Sequence, residues 1–438
     1  MQIILLSGGS GKRLWPLSNE IRAKQFIKIF SDGEEHYQSM LQKVLRQIKN
    51  NFSEVKITVS TSKAQEKILK KYVGAEVEIS AEPCRRNTFP AIALTAAFLR
   101  DVKKIDANEP IVICPVDPYV DDNFFASFKI MAELVKNSSA NLILLGINPT
   151  YPSEKYGYII PESKENISRV LEFKEKPDLK TAQKYIASGG LWNGGVFACK
   201  LSYLLEKSRE LLQTDSHAEL LKNYSELPDI SFDYAVSEHE QNIKVVRYVG
   251  EWKDVGTWNT LTEVMEENSI GKVQFDSTCE NSHVINELDT PIIAMGLKNI
   301  VVAASPDGIL IADKFQSSYL KPLAENLNEQ IHFAEKSWGT YTVIDADEKS
   351  LTIKVILTAG NKMRYHSHER RNEVWTIVSG KGKIILDGEL KSVTVGDVVE
   401  IPVGVKHTII AETDLKVIEV QIGEDITVED KILWEDFK

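Results

Sequence analysis

A short apolar strand runs directly into a glycine loop at the start of this chain. Residues Ile3–Leu6 are continuously apolar, as is typical of a strand buried on both faces of a parallel sheet. The loop that follows has glycines, which allow a tight turn and close approach of backbone N–H groups to an anion: Gly8, Gly9 and Gly11. Three cations come within the next thirteen residues: Lys12, Arg13 and Lys24. The segment therefore predicts a cradle for a phosphate group with its own counter-charges.

The spacing of the glycines excludes two common phosphate-binding loops. The dinucleotide fingerprint G-x-G-x-x-G needs a glycine where Leu14 stands. A Walker A loop needs a glycine at Leu6, and Ser or Thr in place of Arg13. An ordinary strand-to-helix turn is the simpler interpretation of a lone Gly-Gly-Ser-Gly. The segments Lys12–Leu17 and Lys24–Phe26 argue against it, because they extend the pattern well beyond the loop.

Length, charge and cysteine content limit the class of protein. A chain of 438 residues is too long for one ordinary core, so we expect two or three domains. No run approaches the roughly 18 apolar residues of a membrane span, and we expect no secretory leader. The four cysteines lie far apart without a C-x-x-C pair, as expected of a reduced cytoplasmic protein. The formal net charge of −11 argues against a nucleic-acid partner.

The pattern of apolar residues changes twice along the chain. Residues 1–265 alternate strand-like and helix-like stretches, which predicts an α/β fold with a mainly parallel sheet. Ligands bind beyond the carboxyl ends of such strands, which is where the glycine loop falls. Short strand-like pieces fill residues 270–327, and from Ser337 onward regular Gly and Asp turns predict a small barrel or jelly roll. The first region is predicted to contain strands at Ile3–Leu6, Val55–Val59, Ile111–Cys114 and Leu142–Leu145 and helices at Tyr37–Lys49, Lys63–Tyr72 and Pro90–Lys103.

The glycine loop closely resembles the signature of sugar-1-phosphate nucleotidyltransferases, G-G-x-G-x-R-L-x-P-L followed by Pro-Lys. The ending Lys24–Phe26 is the variant typical of mannose-1-phosphate guanylyltransferases, although Ala23 replaces the usual proline. The resemblance extends over nearly the whole chain. It implies a Rossmann-like mixed-sheet nucleotidyltransferase domain (1–268), a short left-handed β-helix linker (269–328) and a β jelly-roll or cupin domain (329–438).

The resemblance also implies a reaction, in which GMP passes from GTP to mannose 1-phosphate and leaves GDP-mannose and pyrophosphate. Arg13 and Lys24 would neutralise charge on the nucleotide phosphates. Asp117 ends the apolar run Val112–Val116 and, together with Asp254 of W-x-D-V-G-T-W, would hold one Mg2+ between the two substrates. A turn-forming Asp is the alternative for Asp117, and Pro118 stands where the family has His. Lys176 would hold the sugar phosphate.

Further matching positions are implied to bind the nucleotide and the sugar. The nucleotide-binding residues are Leu6, Gly8, Gly9, Ser10, Gly11, Lys12, Glu82, Arg86 and Asn87. Glu82, in a segment similar to E-P-x-x-R-N-T, would read guanine, unless it is only an acid near a helix N-terminus. The sugar-binding residues are Gly157, Glu175 and Asn193, which lie in segments similar to G-Y-I, E-K-P and W-N-[SG]-G. A solvated turn is the alternative for the E-K-P segment.

A second pattern, near the end of the chain, predicts a metal centre. His366 and His368 are two residues apart, so on a strand they face the same side. With Glu373 and His407 they form a set of three histidines and one carboxylate whose spacing matches the cupin motif. Such a set suits Zn2+ or a similar divalent transition metal. Without a metal, the strands would be a scaffold only.

The cupin resembles the type II phosphomannose isomerase of long bacterial guanylyltransferases, whose motif reads Q-M-H-x-H-R-x-E-H-W. Arg371 matches the arginine of this motif, whereas Arg370 and Val374 replace two of its histidines. Metal ligation survives, because the imidazole of His366 can replace the glutamine carbonyl. Isomerisation of mannose 6-phosphate and a structural or ligand-sensing role both stay open.

Two other functions also stay open. One is a nucleotidyltransferase for another hexose 1-phosphate or another nucleotide, which Pro118 and the altered cupin motif allow. The other is a non-catalytic sugar-nucleotide sensor with a metal-binding cupin, against which the retention of both Asp117 and Asp254 argues. We expect neither nucleic acid nor membrane as a partner. We expect a homodimer, because the linker strands and cupin edges offer pairing surfaces.

Overall fold

The structure is a computed structural model that describes residues 1–9, 12–19, 21–31, 36–74, 77–327, 331–424, 426 and 430–435, with the side chain of Lys12 excluded. The chain divides into two compact units, Met1–Ser10 with Lys24–Glu266 and Gly11–Ala23 with Glu267–Lys438. Among the described residues, no helix is both long and apolar enough to cross a membrane. The domain boundaries at 268 and 328 stay predictions.

The first unit alternates strands and helices. Its strands are β1 Gln2–Leu6, β2 Lys28–Ser31, β3 Tyr37–Ser39, β4 Lys56–Ser62, β5 Glu78–Glu82, β6 Pro110–Pro115, β7 Pro118–Val120, β8 Leu142–Ile147, β9 Tyr158–Pro161, β10 Ile167–Lys174, β11 Leu191–Lys200, β12 Ile243–Tyr248 and β13 Trp252–Asp254. Its helices are α1 Met40–Asn51, α2 Glu66–Val73, α3 Thr88–Asp101, α4 Asn123–Asn137, α5 Leu179–Ala187, α6 Leu201–Leu212, α7 His217–Lys222 and α8 Trp258–Thr262.

A nine-stranded mixed sheet organises this unit, in the order β5-β4-β1-β6-β11-β8-β12-β10-β9. Strands β5, β4, β1 and β6 are parallel, whereas β11 runs antiparallel to both β6 and β8. The parallel register pairs Leu6 with Ser60 and with Pro115, and Ser62 with Glu82. These strands therefore end at one edge of the sheet, where the predicted site residues follow.

Local sequence explains where the helices begin and what they cover. Helix α1 starts at Met40, three residues later than the predicted Tyr37, because Ser39 and Gln42 form a capping box at its N-terminus. Helix α3 starts at Thr88 behind Asn87, whose side chain accepts a hydrogen bond from the Thr88 N–H. Most of α3 is buried in the hydrophobic core together with Ile4 of β1.

The second unit begins with a linker of short strands that stack in parallel. They are β14 Ser269–Ile270, β15 Val273–Phe275, β16 His283–Asn286, β17 Ile292–Ala294, β18 Ile300–Ser305 and β19 Gly308–Asp313. Strands β14, β16 and β18 pair in parallel, as do β15 and β17, while β19 turns back against β18. Val284 packs against Ala294 and Val302 in a small core. The helix α9 Lys321–Glu325 follows.

The rest of the second unit is a sandwich of two sheets with mainly antiparallel pairing. Its strands are β20 Phe333–Lys336, β21 Gly339–Asp347, β22 Ser350–Leu357, β23 His366–Ser367, β24 Arg371–Ser379, β25 Lys381–Leu386, β26 Glu389–Thr394, β27 Val398–Ile401, β28 His407–Ala411, β29 Leu415–Gly423 and β30 Ile432–Leu433. The sheets have the orders β20-β21-β22-β29-β24-β27 and β26-β25-β28-β23-β30. Trp375 and Val417 lie in the core between them. The chain thus contains a mixed-sheet α/β domain and a cupin-like domain, as predicted.

Candidate active site and metal centre

The glycine loop follows β1 and lies beside Glu82. The Ser7 N–H continues the sheet by donating to the Ser60 carbonyl, after which the loop passes through Gly8 and Gly9. A methyl group on Gly8 would lie only 3.1 Å from Glu82 Oε1, so a side chain there would crowd the carboxylate. Ser10, Gly11 and the Lys12 side chain lie outside the described residues. Arg13 is exposed on a short 3-10 turn, Lys12–Leu14.

Lys24 and Asp117 meet at the carboxyl edge of the sheet. Lys24 opens a 3-10 turn whose next residue, Gln25, is buried and donates from Nε2 to the Ser7 carbonyl at 3.0 Å. This hydrogen bond ties the turn to the end of β1. Asp117 lies just beyond β6, next to β1 in the sheet, and its Oδ2 is 2.7 Å from Lys24 Nζ. The structure therefore brings together a predicted phosphate-binding cation and a predicted magnesium ligand.

The second predicted magnesium ligand, Asp254, reaches the same region through a small two-stranded sheet. Strands β7 and β13 pair antiparallel, and the register places Asp254 opposite Pro118. Because Pro118 directly follows Asp117, the two carboxylates stand on neighbouring positions of paired segments. Trp252, on the same strand, packs with Tyr156 and Trp192.

The predicted sugar-binding residues also come together. The Asn193 N–H donates to the Gly157 carbonyl at 2.8 Å. A methyl group on Gly157 would overlap Glu175 Oε2, so a side chain there would displace that carboxylate. Glu175 Oε1 lies 2.8 Å from Lys176 Nζ. Lys176 has a φ of 45°, an uncommon backbone conformation that is concentrated at functional sites.

Two acids that the sequence interpretation missed form hydrogen bonds with these predicted sugar-binding residues. Asp233 begins a π-helical turn, Asp233–Ser237, and its Oδ1 accepts from Asn193 Nδ2 at 2.7 Å. Glu238, at the end of that turn, accepts from the Glu175 N–H at 3.0 Å. Neither acid belongs to a motif with a recognisable spacing. Single-turn π-helices are frequent at functional sites, but they have no clear sequence signature.

Glu82, the predicted base-reading residue, is buried and paired with a tyrosine. The Tyr224 hydroxyl donates to Glu82 Oε2 at 2.8 Å, and burial raises the pKa of the Glu82 carboxyl. Arg86 donates to the Ser225 carbonyl, and Asn87 caps α3. In the described structure these two side chains hold the loop, and their nucleotide contacts stay predictions.

The three histidines of the second pattern converge inside the cupin-like sandwich. The ligand nitrogens of His366, His368 and His407 all lie within 4.8 Å of one another, and the residues are buried. Strand β23 pairs His366 directly opposite His407 of β28. Glu373 Oε1 lies 3.0 Å from His368 Nε2, and its Oε2 lies 3.4 Å from His407 Nε2. The predicted set of three histidines and one carboxylate is therefore assembled.

Backbone carbonyls orient these imidazoles. His366 Nδ1 contacts the Arg364 carbonyl at 2.6 Å, His407 Nδ1 contacts the Val405 carbonyl at 2.9 Å, and His368 Nδ1 contacts the Asp430 carbonyl. A carbonyl only accepts, so each Nδ1 must carry the hydrogen and each Nε2 keeps its lone pair. Burial lowers the pKa of His366 to about 2, which keeps it neutral. Within the described residues, His407 Nε2 is buried without a hydrogen bond, which fits a metal ligand.

Comparison with known proteins identifies the family. A nucleotidyl transferase family model matches residues 2–269, and a model of the mannose-6-phosphate isomerase C-terminal domain matches residues 324–436. Mannose-1-phosphate guanylyltransferase of Salmonella montevideo is 31% identical, over 99% of this chain and 98% of its own length. The chain belongs to the mannose-1-phosphate guanylyltransferase family.

A further relative and a solved structure also resemble the chain. The xanthan biosynthesis protein XanB of Xanthomonas campestris pv. campestris (strain B100) is 30% identical, over 99% of this chain and 98% of its own. A crystal structure described as mannose-1-phosphate geranyltransferase from Thermus thermophilus has a TM-score of 0.63 and 28% identity, and the match covers 75% of this chain and 99% of that one. The protein is an enzyme of the nucleotidyltransferase class with a cupin-like C-terminal domain.

Proposed function

We propose that this guanylyltransferase-family enzyme transfers GMP from GTP to mannose 1-phosphate. The observation that carries the proposal is the 2.7 Å contact of Lys24 with Asp117 at the sheet edge, with Asp254 on the paired strand. The names of the relatives support mannose 1-phosphate as the acceptor and a guanine nucleotide as the donor.

In this reaction a phosphate oxygen of mannose 1-phosphate attacks the α-phosphorus of GTP in line. The new P–O bond forms as the bond to the bridging oxygen of the β-phosphate breaks, and pyrophosphate leaves with that electron pair. Lys24 and Arg13 neutralise the charge that grows on the leaving group, and Lys176 holds the sugar phosphate. Asp117 and Asp254 would hold Mg2+, which would neutralise part of the phosphate charge.

The remaining residues position the two substrates. The residues proposed to bind the nucleotide phosphates are Leu6, Gly8, Gly9, Ser10, Gly11 and Lys12. Arg86 and Asn87 are proposed to support the base-binding segment. Glu82, held by Tyr224, accepts from the guanine edge. Gly157, Glu175 and Asn193 contact the sugar. The proximity of Gly8 to Glu82 and of Gly157 to Glu175 supports these groupings.

A substrate matrix tests the proposal. The purified full chain is incubated with Mg2+ and each of GTP, ATP, UTP, CTP and dTTP against mannose 1-phosphate and glucose 1-phosphate, and pyrophosphate release is measured. We expect the highest kcat/KM for GTP with mannose 1-phosphate. A higher kcat/KM for another nucleotide and sugar phosphate would indicate a nucleotidyltransferase of different specificity. Binding of these substrates with no pyrophosphate release from any combination would indicate a sensor.

We propose a second activity, isomerisation of mannose 6-phosphate, for the cupin-like domain. The observation that favours it is Arg371, whose Nε lies 3.2 Å from Glu373 Oε1 beside the histidine cluster. His366, His368, Glu373 and His407 would hold Zn2+ or a similar ion, which polarises a sugar oxygen when bound. A coupled assay that follows fructose 6-phosphate on the full chain, with and without chelator, decides between this activity and a structural cupin.

We also propose finer features of the architecture. The parallel pairs Val284–Val302 and Glu280–Lys298 are each 18 residues apart, a coil length that supports a left-handed β-helix in the linker. Domains over 1–268, 269–328 and 329–438 agree with this reading of the linker. The four free thiols support a cytoplasmic location.

The linker also carries an apolar surface that supports a homodimer. Its exposed apolar side chains include Ile293, Met295, Ile309, Ile311, Phe315 and Leu323. Sedimentation of the wild type and of an Ile311→Lys variant tests this proposal, and equal monomeric mass for both would contradict it.

A further inference from the structure

One short segment holds several of the residues assigned to the sugar. Asp233 is the first residue of the π-helical turn and Glu238 directly follows the turn. The carboxylates of both accept hydrogen bonds from residues assigned to the sugar. Glu238 Oε1 accepts from the Glu175 N–H at 3.0 Å and from Lys174 Nζ at 3.1 Å. Glu238 therefore fixes the backbone of the E-K-P segment. Asp233 contacts a side chain instead.

The contact of Asp233 fixes the orientation of the Asn193 amide. The Gly195 N–H donates to Asn193 Oδ1 at 3.1 Å, so Asn193 Nδ2 must point the other way, toward Asp233 Oδ1 at 2.7 Å. The bulge of β11 after Asn193 makes room for this arrangement, since the register with β8 shifts between Asn193 and Phe197. The orientation of the Asn193 amide is therefore fixed by one hydrogen bond to Asp233 and one from Gly195.

The charge of Asp233 is poorly compensated in this position. Asp233 is half-buried, but protein surrounds it closely, and burial together with the nearby Glu175 raises the pKa of its carboxyl to about 7. Lys176 opposes this shift only in part. A carboxylate buried beside a second acid is stabilised by hydrogen-bond donors, and a carboxylate whose pKa is strongly shifted is often found at a binding or catalytic site.

We propose that Asp233 binds a hydroxyl group of the hexose in the sugar-phosphate substrate and, with Glu175, determines which hexose is accepted. This inference rests on the proposed function, because it assigns Asp233 to the same sugar site. Adjacent hydroxyls of a hexose are two donors at fixed spacing, and two neighbouring carboxylates are the strongest available acceptors for them. In this arrangement Lys176 binds the phosphate, and Asp233 and Glu175 bind hydroxyl groups of the sugar ring.

Direct binding tests this inference apart from turnover. Asp233→Asn keeps an oxygen that can accept from Asn193 Nδ2 but removes the charge, and Asp233→Ala removes both. The matched control is Glu240→Gln, a nearby acid that accepts from the Tyr203 hydroxyl at 2.7 Å and faces other partners. Calorimetry with mannose 1-phosphate, glucose 1-phosphate and inorganic phosphate measures the affinity of each protein.

We expect Asp233→Asn to weaken mannose 1-phosphate binding about tenfold or more, as loss of a hydrogen bond to a charged group does, and to leave inorganic phosphate unchanged. The ratio of mannose 1-phosphate to glucose 1-phosphate affinity should fall toward one. In turnover, KM for the sugar phosphate should rise while KM for GTP stays constant. Glu240→Gln should bind all three ligands like the wild type.

Two results would overturn the assignment. One is equal weakening of all three ligands by Asp233→Asn, since that pattern indicates a merely structural role. The other is unchanged affinity for both sugar phosphates. If the wild type instead prefers glucose 1-phosphate, the proposed function fails, yet Asp233 is still supported when Asp233→Asn selectively weakens that ligand.

Discussion

Lys24 Nζ lies 2.7 Å from Asp117 Oδ2, so the cation proposed to bind phosphate and the carboxylate proposed to bind magnesium form an ion pair beyond the ends of β1 and β6. Both groups are partly exposed, with 18% and 37% of their side-chain surfaces accessible. Such a pair contributes little to the stability of the fold. Its position therefore matters for chemistry far more than for folding, and this separation makes it testable.

Substituting Lys24 should abolish most turnover without unfolding the protein. In Lys24→Ala, the departing pyrophosphate would lose a cation proposed to stabilise its charge, and we expect kcat to fall about 100-fold or more. Pyrophosphate release and thermal unfolding are measured together. Lys28→Ala, four residues further along, is the matched control and should keep both properties. Near wild-type turnover in folded Lys24→Ala would show that Lys24 is not catalytic.

Removing one hydroxyl should loosen recognition of the base. Tyr224→Phe deletes the donor to Glu82 and leaves the buried ring in place. We expect KM for GTP to rise about threefold to tenfold, with KM for mannose 1-phosphate unchanged, because only the carboxylate that we propose binds the base loses a hydrogen bond that orients it. Steady-state kinetics with GTP and ATP measures this effect. An equal change for both nucleotides would place Glu82 away from the base.

Much of the geometry of the candidate site could be predicted because its residues lie in short motifs. The glycine loop, the apolar run before Asp117 and the two-residue spacing of His366 and His368 each combine a local structure with a reactive group. A strand followed directly by a carboxylate predicts that the carboxylate lies at the edge of the sheet. The parallel register of β1 and β6 places Asp117 there. The paired histidines likewise share a face because a strand alternates sides.

The rest could not be predicted because it depends on which distant segments meet. Asn193 and Asp233 are 40 residues apart, and they meet through the mixed sheet order and a π-helical turn. The pairing of Tyr224 with Glu82 spans 142 residues. Neither contact is marked by a sequence motif. The periodicity of apolar residues predicts which residues are buried, but not which distant residue each one contacts.

The raised pKa of Asp233 predicts a pH-dependent change in stability. Its pKa of about 7 lies above the usual 3.8 of an aspartic acid, so the folded protein holds a proton that the unfolded chain releases between about pH 4 and 7. Any stability gained from that proton is complete below pH 4 and is lost as pH rises through 7. Asp233→Asn has no such proton, and the variant should gain free energy of unfolding relative to the wild type between pH 4 and pH 8.

Denaturant unfolding at several pH values measures this difference. Glu240→Gln is again the control, because the pKa of Glu240 is lowered from its usual value and the group stays ionised above pH 5. Its effect on the free energy of unfolding should therefore be constant from pH 5 to 8. A constant difference for Asp233→Asn as well would mean that Asp233 is well solvated.

The histidine cluster should bind one metal ion per chain. We expect His407→Ala to lose it, because His407 contributes a buried Nε2 without a hydrogen bond in the described structure. Elemental analysis of the wild type, of His407→Ala and of the exposed-histidine control His239→Ala gives the stoichiometry. Nucleotidyl transfer in excess Mg2+ should persist in His407→Ala. Equal metal content in all three proteins would exclude the cluster as the binding site.

The segment between the glycine loop and Lys24 should depend on the linker for its conformation. Within the second unit, Arg22 binds Glu287 through two hydrogen bonds of 2.7 and 2.8 Å, and 10% and 25% of the two side-chain surfaces are exposed. Because Glu287 stays accessible to water, Arg22→Ala removes two charged hydrogen bonds without leaving a fully buried charge. We therefore expect Arg22→Ala to lower the free energy of unfolding by about 2 kcal/mol. Because Arg22 is two residues from Lys24 in the chain, turnover should also fall several-fold.

An exposed ion pair on the same linker provides the control. Lys298 and Glu280 lie 3.1 Å apart with 65% and 68% of their side-chain surfaces exposed, so Lys298→Ala should cost less than about 1 kcal/mol and leave turnover unchanged. Denaturant unfolding and pyrophosphate release are compared for both single variants and for Arg22→Ala combined with Glu287→Ala. If the pair fixes the segment, the double variant loses no more turnover than Arg22→Ala alone. Additive losses would mean that Arg22 and Glu287 act independently.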